Sequence, residues 1–189
     1  SCTSSGSVTL AYFAPVQVQL GNDITVCENS GGSLIDAGNT GSSYVWSLDG
    51  NVISGQTSQT LGITTPGVYS VMVTDGNGCT GTDQLTLIVN PLPQVNIGND
   101  STFCSQDPLP LLSVTNSNIS TYAWTFNGDP VGSGSSVQAT SYGTYGVTVI
   151  DNNGCEGYDE ILLEERPCEI EIPNVFTPGN GDGKNDTFF

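Results

Sequence analysis

Gly67-Val68-Tyr69-Ser70-Val71-Met72-Val73-Thr74-Asp75-Gly76-Asn77-Gly78-Cys79 reads as a strand running into a tight turn. Apolar and polar side chains alternate from Tyr69 to Val73, the period of a half-buried strand. Asp75-Gly76-Asn77-Gly78 then supplies residues that tolerate positive φ, as hairpin turns require. The stretch returns later as Gly143-Thr144-Tyr145-Gly146-Val147-Thr148-Val149-Ile150-Asp151-Asn152-Asn153-Gly154-Cys155.

The copy extends outward from this pair. Gly21-Asn22-Asp23 recurs as Gly98-Asn99-Asp100, 77 residues on, and Cys27 recurs as Cys104. Tyr44-Val45-Trp46 matches Tyr122-Ala123-Trp124, and Asp83 matches Asp159. Order and spacing hold within one or two residues, so the chain is a tandem of two like units. Further alternation in Val16–Leu20 and Gln84–Val89, with Gly, Asn, Asp and Pro clusters every ~8 to 12 residues, predicts sandwiches. The division expected is an N-terminal extension over 1–15, one unit over 16–90, a second over 91–167 and a C-terminal extension over 168–189. Ser7–Phe13 and Glu169–Ile172 also alternate and read as strands outside both units. The predicted fold is all-β: two tandem immunoglobulin-like β-sandwiches with extended β-strand tails.

Charge narrows the function. The 189 residues carry 19 acids, 2 cations (Arg166 and Lys184) and no histidine, a net charge of -17. Residues 1–165 contain no Lys, Arg or His, so no side-chain ion pair forms among them. Nucleic-acid binding needs phosphate-neutralising cations and is excluded. An anionic membrane surface repels the chain, and no apolar run is long enough to insert. Catalysis through Ser-His-Asp or Cys-His is excluded for want of an imidazole. The acid pairs Glu164-Glu165 and Glu169/Glu171 lack an aromatic cleft of the kind a glycosidase uses and read as solvated. No enzymatic role is expected.

Six cysteines in a small chain with few lysines point to an oxidising, extracellular or cell-surface setting. The opening at Ser1, with no basic or apolar leader, reads as a mature chain whose signal peptide has been removed. Trp46 lies between Cys27 and Cys79, and Trp124 between Cys104 and Cys155. An indole near a disulfide between sheets suits an Ig-like sandwich, so the repeat selects Cys27–Cys79 and Cys104–Cys155 from the 15 connectivities that six cysteines allow. Cys2 and Cys168 fall outside the repeat and pair with each other or with a neighbouring subunit.

The pattern Gly-Asn-Asp, Cys, Tyr-x-Trp, Gly-x-Tyr-x-Val-x-Val, Asn-Gly-Cys resembles tandem Ig-like or PKD-like modules of secreted surface proteins and adhesins of gliding bacteria. Ile172-Pro173-Asn174-Val175-Phe176-Thr177-Pro178, followed by Asn180-Gly181-Asp182-Gly183-Lys184-Asn185-Asp186, resembles the opening of the gliding-motility-associated C-terminal domain. That resemblance implies export by type 9 secretion. Gly179 is an extra residue in the motif, and the sequence stops at Phe189 before the rest of such a domain.

Three acidic clusters are calcium candidates, because hard cations take carboxylate, amide and backbone oxygens from Asp/Asn/Gly loops. They are Asp75, Asn77 and Asp83; Asp151, Asn153 and Asp159; and Asn180, Asp182 and Asp186. Neither hairpin turn has the twelve-residue EF-hand spacing, and the competing reading is a turn whose Asp caps its own backbone. The expected function is a structural subunit of a surface fibre or stalk, assembled head to tail with itself or with neighbouring surface proteins through strand tails, and stiffened by disulfides and calcium. The alternative is an adhesin or a carbohydrate- or protein-binding module of a larger surface protein.

Overall fold

The computed structural model describes residues 2–8, 12–40 and 42–168; Asn180, Asp182, Asp186 and the expected strand Glu169–Ile172 lie outside them. All regular structure among the described residues is β. Two compact units emerge. The described residues of Ser1–Pro93 and Ile150–Gly157 form one, and those of Gln94–Val149 and Tyr158–Phe189 the other.

In the first unit the strands are β1 (Ile24–Cys27), β2 (Ser33–Asp36), β3 (Ser43–Leu48), β4 (Asn51–Val52), β5 (Thr60–Ile63), β6 (Gly67–Thr74) and β7 (Thr80–Asn90). One sheet runs β1-β7-β6-β3-β4 and a second pairs β2 with β5, the two layers of an Ig-like sandwich. Alternation decides the inner face. Trp46 sits opposite Val71 and Tyr44 opposite Val73, and all four are buried with Tyr69, Leu85 and Leu87 against Ile35, Leu61 and Ile63 of the other sheet. Burying each such side chain contributes roughly 1.5–3 kcal/mol. The indole N–H of Trp46 donates to the Ser58 carbonyl at 2.9 Å, so its one polar atom is satisfied inside the core.

The second unit repeats the plan. Its strands are β8 (Ser101–Cys104), β9 (Leu111–Ser113), β10 (Ile119–Phe126), β11 (Asp129–Gly132), β12 (Ser136–Gln138), β13 (Gly143–Asp151) and β14 (Glu156–Arg166). The sheets are β11-β10-β13-β14-β8 and β12-β9. Trp124, Tyr145, Val147, Val149, Ile161 and Leu163 fill the core.

Tyr69 and Tyr145 form tyrosine corners, their hydroxyls donating to the Thr65 carbonyl at 2.8 Å and the Ser141 carbonyl at 3.3 Å. In an antibody domain the second cysteine of the inter-sheet disulfide stands two residues after that tyrosine. Here those positions are Val71 and Val147, both fully buried. Aliphatic packing replaces the central disulfide in both sandwiches.

The cysteines therefore pair differently from the expectation. Cys27 is bonded to Cys155 and Cys104 to Cys168, while Cys2 and Cys79 are free thiols. The ladder explains why Cys27–Cys79 does not form. Strand β1 runs parallel to β7 with Cys27 opposite Asn90, at the end of that strand, whereas Cys79 immediately precedes its first residue. The eleven residue steps from Cys79 to Asn90 separate the two cysteines by about 36 Å along the strand. The same logic excludes Cys104–Cys155: Cys104 sits opposite Arg166, at the far end of β14 from Cys155. Cys168, two residues beyond Arg166, is within reach instead.

Two strand expectations also change. The described residues of Ser7–Phe13 form no ladder, and Tyr12 and Phe13 are exposed. Val16–Leu20 alternates as expected, with Val16, Val18 and Leu20 packed on the core, yet it belongs to no sheet. It is pinned by side chains instead. Leu20 N–H donates to Asp83 at 2.7 Å, and the Gln17 carbonyl accepts from Asn39 at 2.9 Å. A methyl group at Gly81 would run into the Val16 carbonyl, so glycine permits this close approach.

Candidate functional site

Two identical turns carry the residues singled out from the sequence. In the first, Asp75 Oδ1 accepts from the backbone N–H of Asn77 at 2.9 Å and of Cys79 at 2.8 Å. Asp75 N–H donates to the Cys79 carbonyl at 3.0 Å, and Gly78 N–H to the Asp75 carbonyl at 3.1 Å. The second turn repeats these four bonds and adds one from the Asn153 side-chain amide to Asp151 Oδ2 at 3.4 Å. Asp151 Oδ1 accepts from Asn153 at 2.9 Å and Cys155 at 2.8 Å, with backbone bonds of 2.9 and 3.1 Å. Gly78 and Gly154 both sit at φ 83°, where a Cβ is strained. Side-chain capping of the turn by its own aspartate is what the Asp-x-Asn-Gly-Cys string encodes.

The other expected ligands lie elsewhere. Asp83 faces Val71 across the β6–β7 ladder, about 10 Å along the strand from the Thr74–Thr80 pair at the turn. Its carboxylate holds Leu20 N–H, and Asp159 holds Ile97 N–H at 2.8 Å in the same way. Among the described residues no group of three or more His, Cys, Asp or Glu is arranged to hold a metal ion.

A system of carboxylate clamps thus spans both repeats. Asp23 accepts from Thr86 N–H and Asp100 from Leu162 N–H, each at 2.8 Å. Asp49 accepts from Val68 N–H at 2.8 Å, and in the second repeat the neutral amide of Asn127 accepts from Thr144 N–H at 3.0 Å. A group that works equally well as Asp or Asn is valued for its oxygen, not its charge. Asn39 and its counterpart Asn116, which donates to the Gln94 carbonyl at 2.6 Å, complete the set. Sequence reasoning reads Asp49-Gly50-Asn51 as a hairpin turn only and passes over Asn39 and Asn116, although their spacing in the repeat is a signal available to it.

With no cations in residues 1–165, backbone N–H groups are the partners the acids find. The Asp36 carboxyl is held below its usual range, first by the Gly38 N–H at 2.8 Å and then by the Gln59 amide at 2.8 Å. The Tyr142 phenol is pushed up by burial, helped by Glu165 and Asp107, and it donates to the Cys104 carbonyl at 3.1 Å. Tyr158 is raised chiefly by its hydrogen bond to Glu160.

The cysteines separate the two turns. Cys155 is fully buried and bonded to Cys27, whereas Cys79, on the same scaffold, is half-buried and free. Two disulfides mark a chain folded in an oxidising, extracellular or surface setting. Among the described residues no helix is long and apolar enough to cross a membrane.

One further surface stands out. The outer face of β3, β4, β6 and β7 carries an open groove of ≈ 570 Å³ lined by Val45, Ser47, Val52, Ser70, Met72 and Thr82. Val45, Val52 and Met72 are exposed apolar residues on it.

No protein-family model matches the sequence, and no curated protein matches it. Solved structures similar in fold include an insect immune protein, a receptor Ig1-2 module and a glucan-utilization protein. The insect immune protein hemolin is 18% identical, with a TM-score of 0.47, over 80% of this chain and 47% of that one. The N-terminal Ig1-2 module of the Drosophila receptor tyrosine phosphatase DLAR is 13% identical, with a TM-score of 0.33, over 81% of this chain and 100% of that one. A Bacteroides ovatus glucan-utilization protein, SGBP-B, solved with a mixed-linkage heptasaccharide, is 15% identical, with a TM-score of 0.32, over 75% and 43%. The chain thus spans about half the length of the hemolin structure.

Proposed function

We propose that the chain is an extracellular structural protein, a subunit of a surface stalk or fibre built from Ig-like modules. The observation that carries the reading is the Cys27–Cys155 bond, which joins the first-strand end of one sequence repeat to a turn of the next. It ties the two sequence repeats covalently, in addition to the peptide chain through Asn90-Pro91-Leu92-Pro93. Binding pockets need no such tie; load-bearing repeats do. The clamps support the same reading, since they fasten extended backbone to the sandwiches without an ion pair. The partners in this reading are other copies of the chain or neighbouring surface proteins, and no catalytic residue is assigned.

Calcium enters the proposal at one place. Asp75, Asp151, Asp83 and Asp159 already accept backbone hydrogen bonds, which leaves Asn180, Asp182 and Asp186 as the candidate ligands. Calorimetric titration of calcium into the full chain, and into a chain ending at Cys168, tests this; heat retained by the shorter chain refutes it. The motif from Ile172 to Asp186 is proposed as an export signal, tested by whether its removal keeps the protein inside the cell.

Negative-stain electron microscopy of the purified full chain, with and without reductant, tests the fibre reading. Elongated multimers are expected, and a monodisperse monomer under every condition refutes it. The second reading, a binding module, is favoured by the apolar groove around Val45, Val52 and Met72. A glycan array and protein pull-downs with Met72→Glu as control separate it from the first.

A further inference from the structure

The free thiol of Cys79 sits on a turn whose twin is already cross-linked. Asp75–Cys79 and Asp151–Cys155 share four hydrogen bonds to backbone N–H groups within 0.1 Å and the same φ at the closing glycine. They hold the backbone of the cysteine in the same turn. In the second repeat the cysteine sulfur is bonded to Cys27, the strand-end cysteine of the repeat before it. The strand-end cysteine of the second repeat is Cys104, at the same place on β8 as Cys27 on β1. Cys104 is held by Cys168, which belongs to neither repeat. The chain therefore carries one complete staple and the two halves of another: a strand-end cysteine at Cys104 and a turn cysteine at Cys79.

We propose that these halves join between copies of this chain, Cys104 of one copy to Cys79 of the next, continuing head to tail the linkage that Cys27–Cys155 makes within one copy. The inference rests on the structural reading above and supplies its chemistry. The step is thiol–disulfide exchange. The Cys79 thiolate attacks the Cys104 sulfur, the Cys104–Cys168 bond breaks, a Cys104–Cys79 bond forms, and Cys168 leaves as a thiolate and takes up a proton. One thiol and one disulfide enter and one of each leaves, so no external oxidant is consumed. Cys104, Cys168 and Cys79 are all half-buried rather than sealed in a core. Because donor and acceptor are different residues of the same chain, the contact is heterologous and propagates.

The test uses the purified, oxidised full chain at high concentration in a glutathione redox buffer near neutral pH. It is read by non-reducing gel and by mass spectrometry of alkylated peptides. The expected result is a ladder beyond dimer, a Cys79–Cys104 linked peptide, and Cys168 becoming alkylatable in step with it. Cys79→Ser is expected to abolish the ladder and Cys2→Ser to leave it intact. Prior alkylation of native protein at Cys79 repeats the test without a substitution. A ladder that survives Cys79→Ser, or cross-links that stop at a Cys2–Cys2 dimer, overturns the proposal. Fibres by microscopy without the Cys79–Cys104 peptide overturn it while sparing the structural reading; monomers by both methods overturn both.

Discussion

The turn Asp75–Cys79 and the turn Asp151–Cys155 are the same object in two circumstances. Their sequences differ only in Gly76 against Asn152, and their hydrogen bonds agree. Yet Asp151 is 8% exposed and Cys155 0%, while Asp75 and Cys79 are only half-buried and the thiol is free. Local sequence therefore dictates the turn, and the pairing partner dictates what the turn does. A repeat shows which residues are equivalent; it does not show that equivalent cysteines bond to equivalent partners.

Removing the sulfurs sharpens this contrast most. The Cys27–Cys155 bond closes a sequence separation of 128 residues, worth about 5 kcal/mol in the chain-entropy model. Cys155→Ser is expected to lower Tm by roughly 10–20 °C for a chain of this size. Cys79→Ser, which removes no bond, is expected to stay within about 0.5 kcal/mol of wild type. Scanning calorimetry without reductant measures both, and equal losses would erase the asymmetry.

The next effect comes from the capping aspartates. Asp151→Ala orphans two backbone N–H groups, that of Cys155 being buried, and is expected to cost about 2–3 kcal/mol, against about 1–2 kcal/mol for Asp75→Ala, where water replaces the lost acceptor. Urea unfolding of the two variants decides it. A smaller contrast separates oxygen from charge. Asp83→Asn and Asp159→Asn keep an acceptor and are expected to cost under about 1 kcal/mol, whereas the Ala variants cost about 1–2 kcal/mol. If the Asn variants are as damaging as Ala, and stability then responds to added calcium, the clamps are metal ligands after all.

The smallest effect is a pH dependence confined to one repeat. The Asp36 carboxyl is held low by Gly38 and Gln59, and its counterpart in the second repeat is Ser113. A depressed carboxyl contributes stability above its unfolded pKa of about 3.9 and loses it as pH falls through the lower folded value. Acid titration of the wild type and Asp36→Asn, followed by a probe in each unit, is expected to show a difference below pH ~4 in the first unit alone.

The sandwiches were legible because alternation and turn chemistry are local, and because Tyr-x-Trp and Gly-x-Tyr-x-Val recur at fixed spacing. The same patterns located Trp46, Trp124 and both tyrosine corners. The cysteine pairing was not legible from a Cys-Trp-Cys string alone. The decisive clue was Val71 and Val147 standing where a central cysteine belongs, which moves the cysteines to strand ends and turns. The partners of the acids were not legible for a related reason. A carboxylate that lacks a cation finds either a metal or an N–H, and only the folded structure shows that Leu20, Ile97, Thr86 and Leu162 bring N–H groups to Asp83, Asp159, Asp23 and Asp100. Val16–Leu20 looked like a strand because its burial alternates; its hydrogen bonds go to side chains, which no periodicity reveals.

The most direct test of the account is disulfide mapping of the full chain, digested under non-reducing, thiol-blocked conditions with a protease that cleaves before aspartate and so puts each cysteine on its own peptide. The account predicts linked peptides carrying Cys27 with Cys155 and Cys104 with Cys168, and an alkylated Cys79 in the monomer. A Cys27–Cys79 peptide would contradict it, because that bond cannot span β7 in the register described.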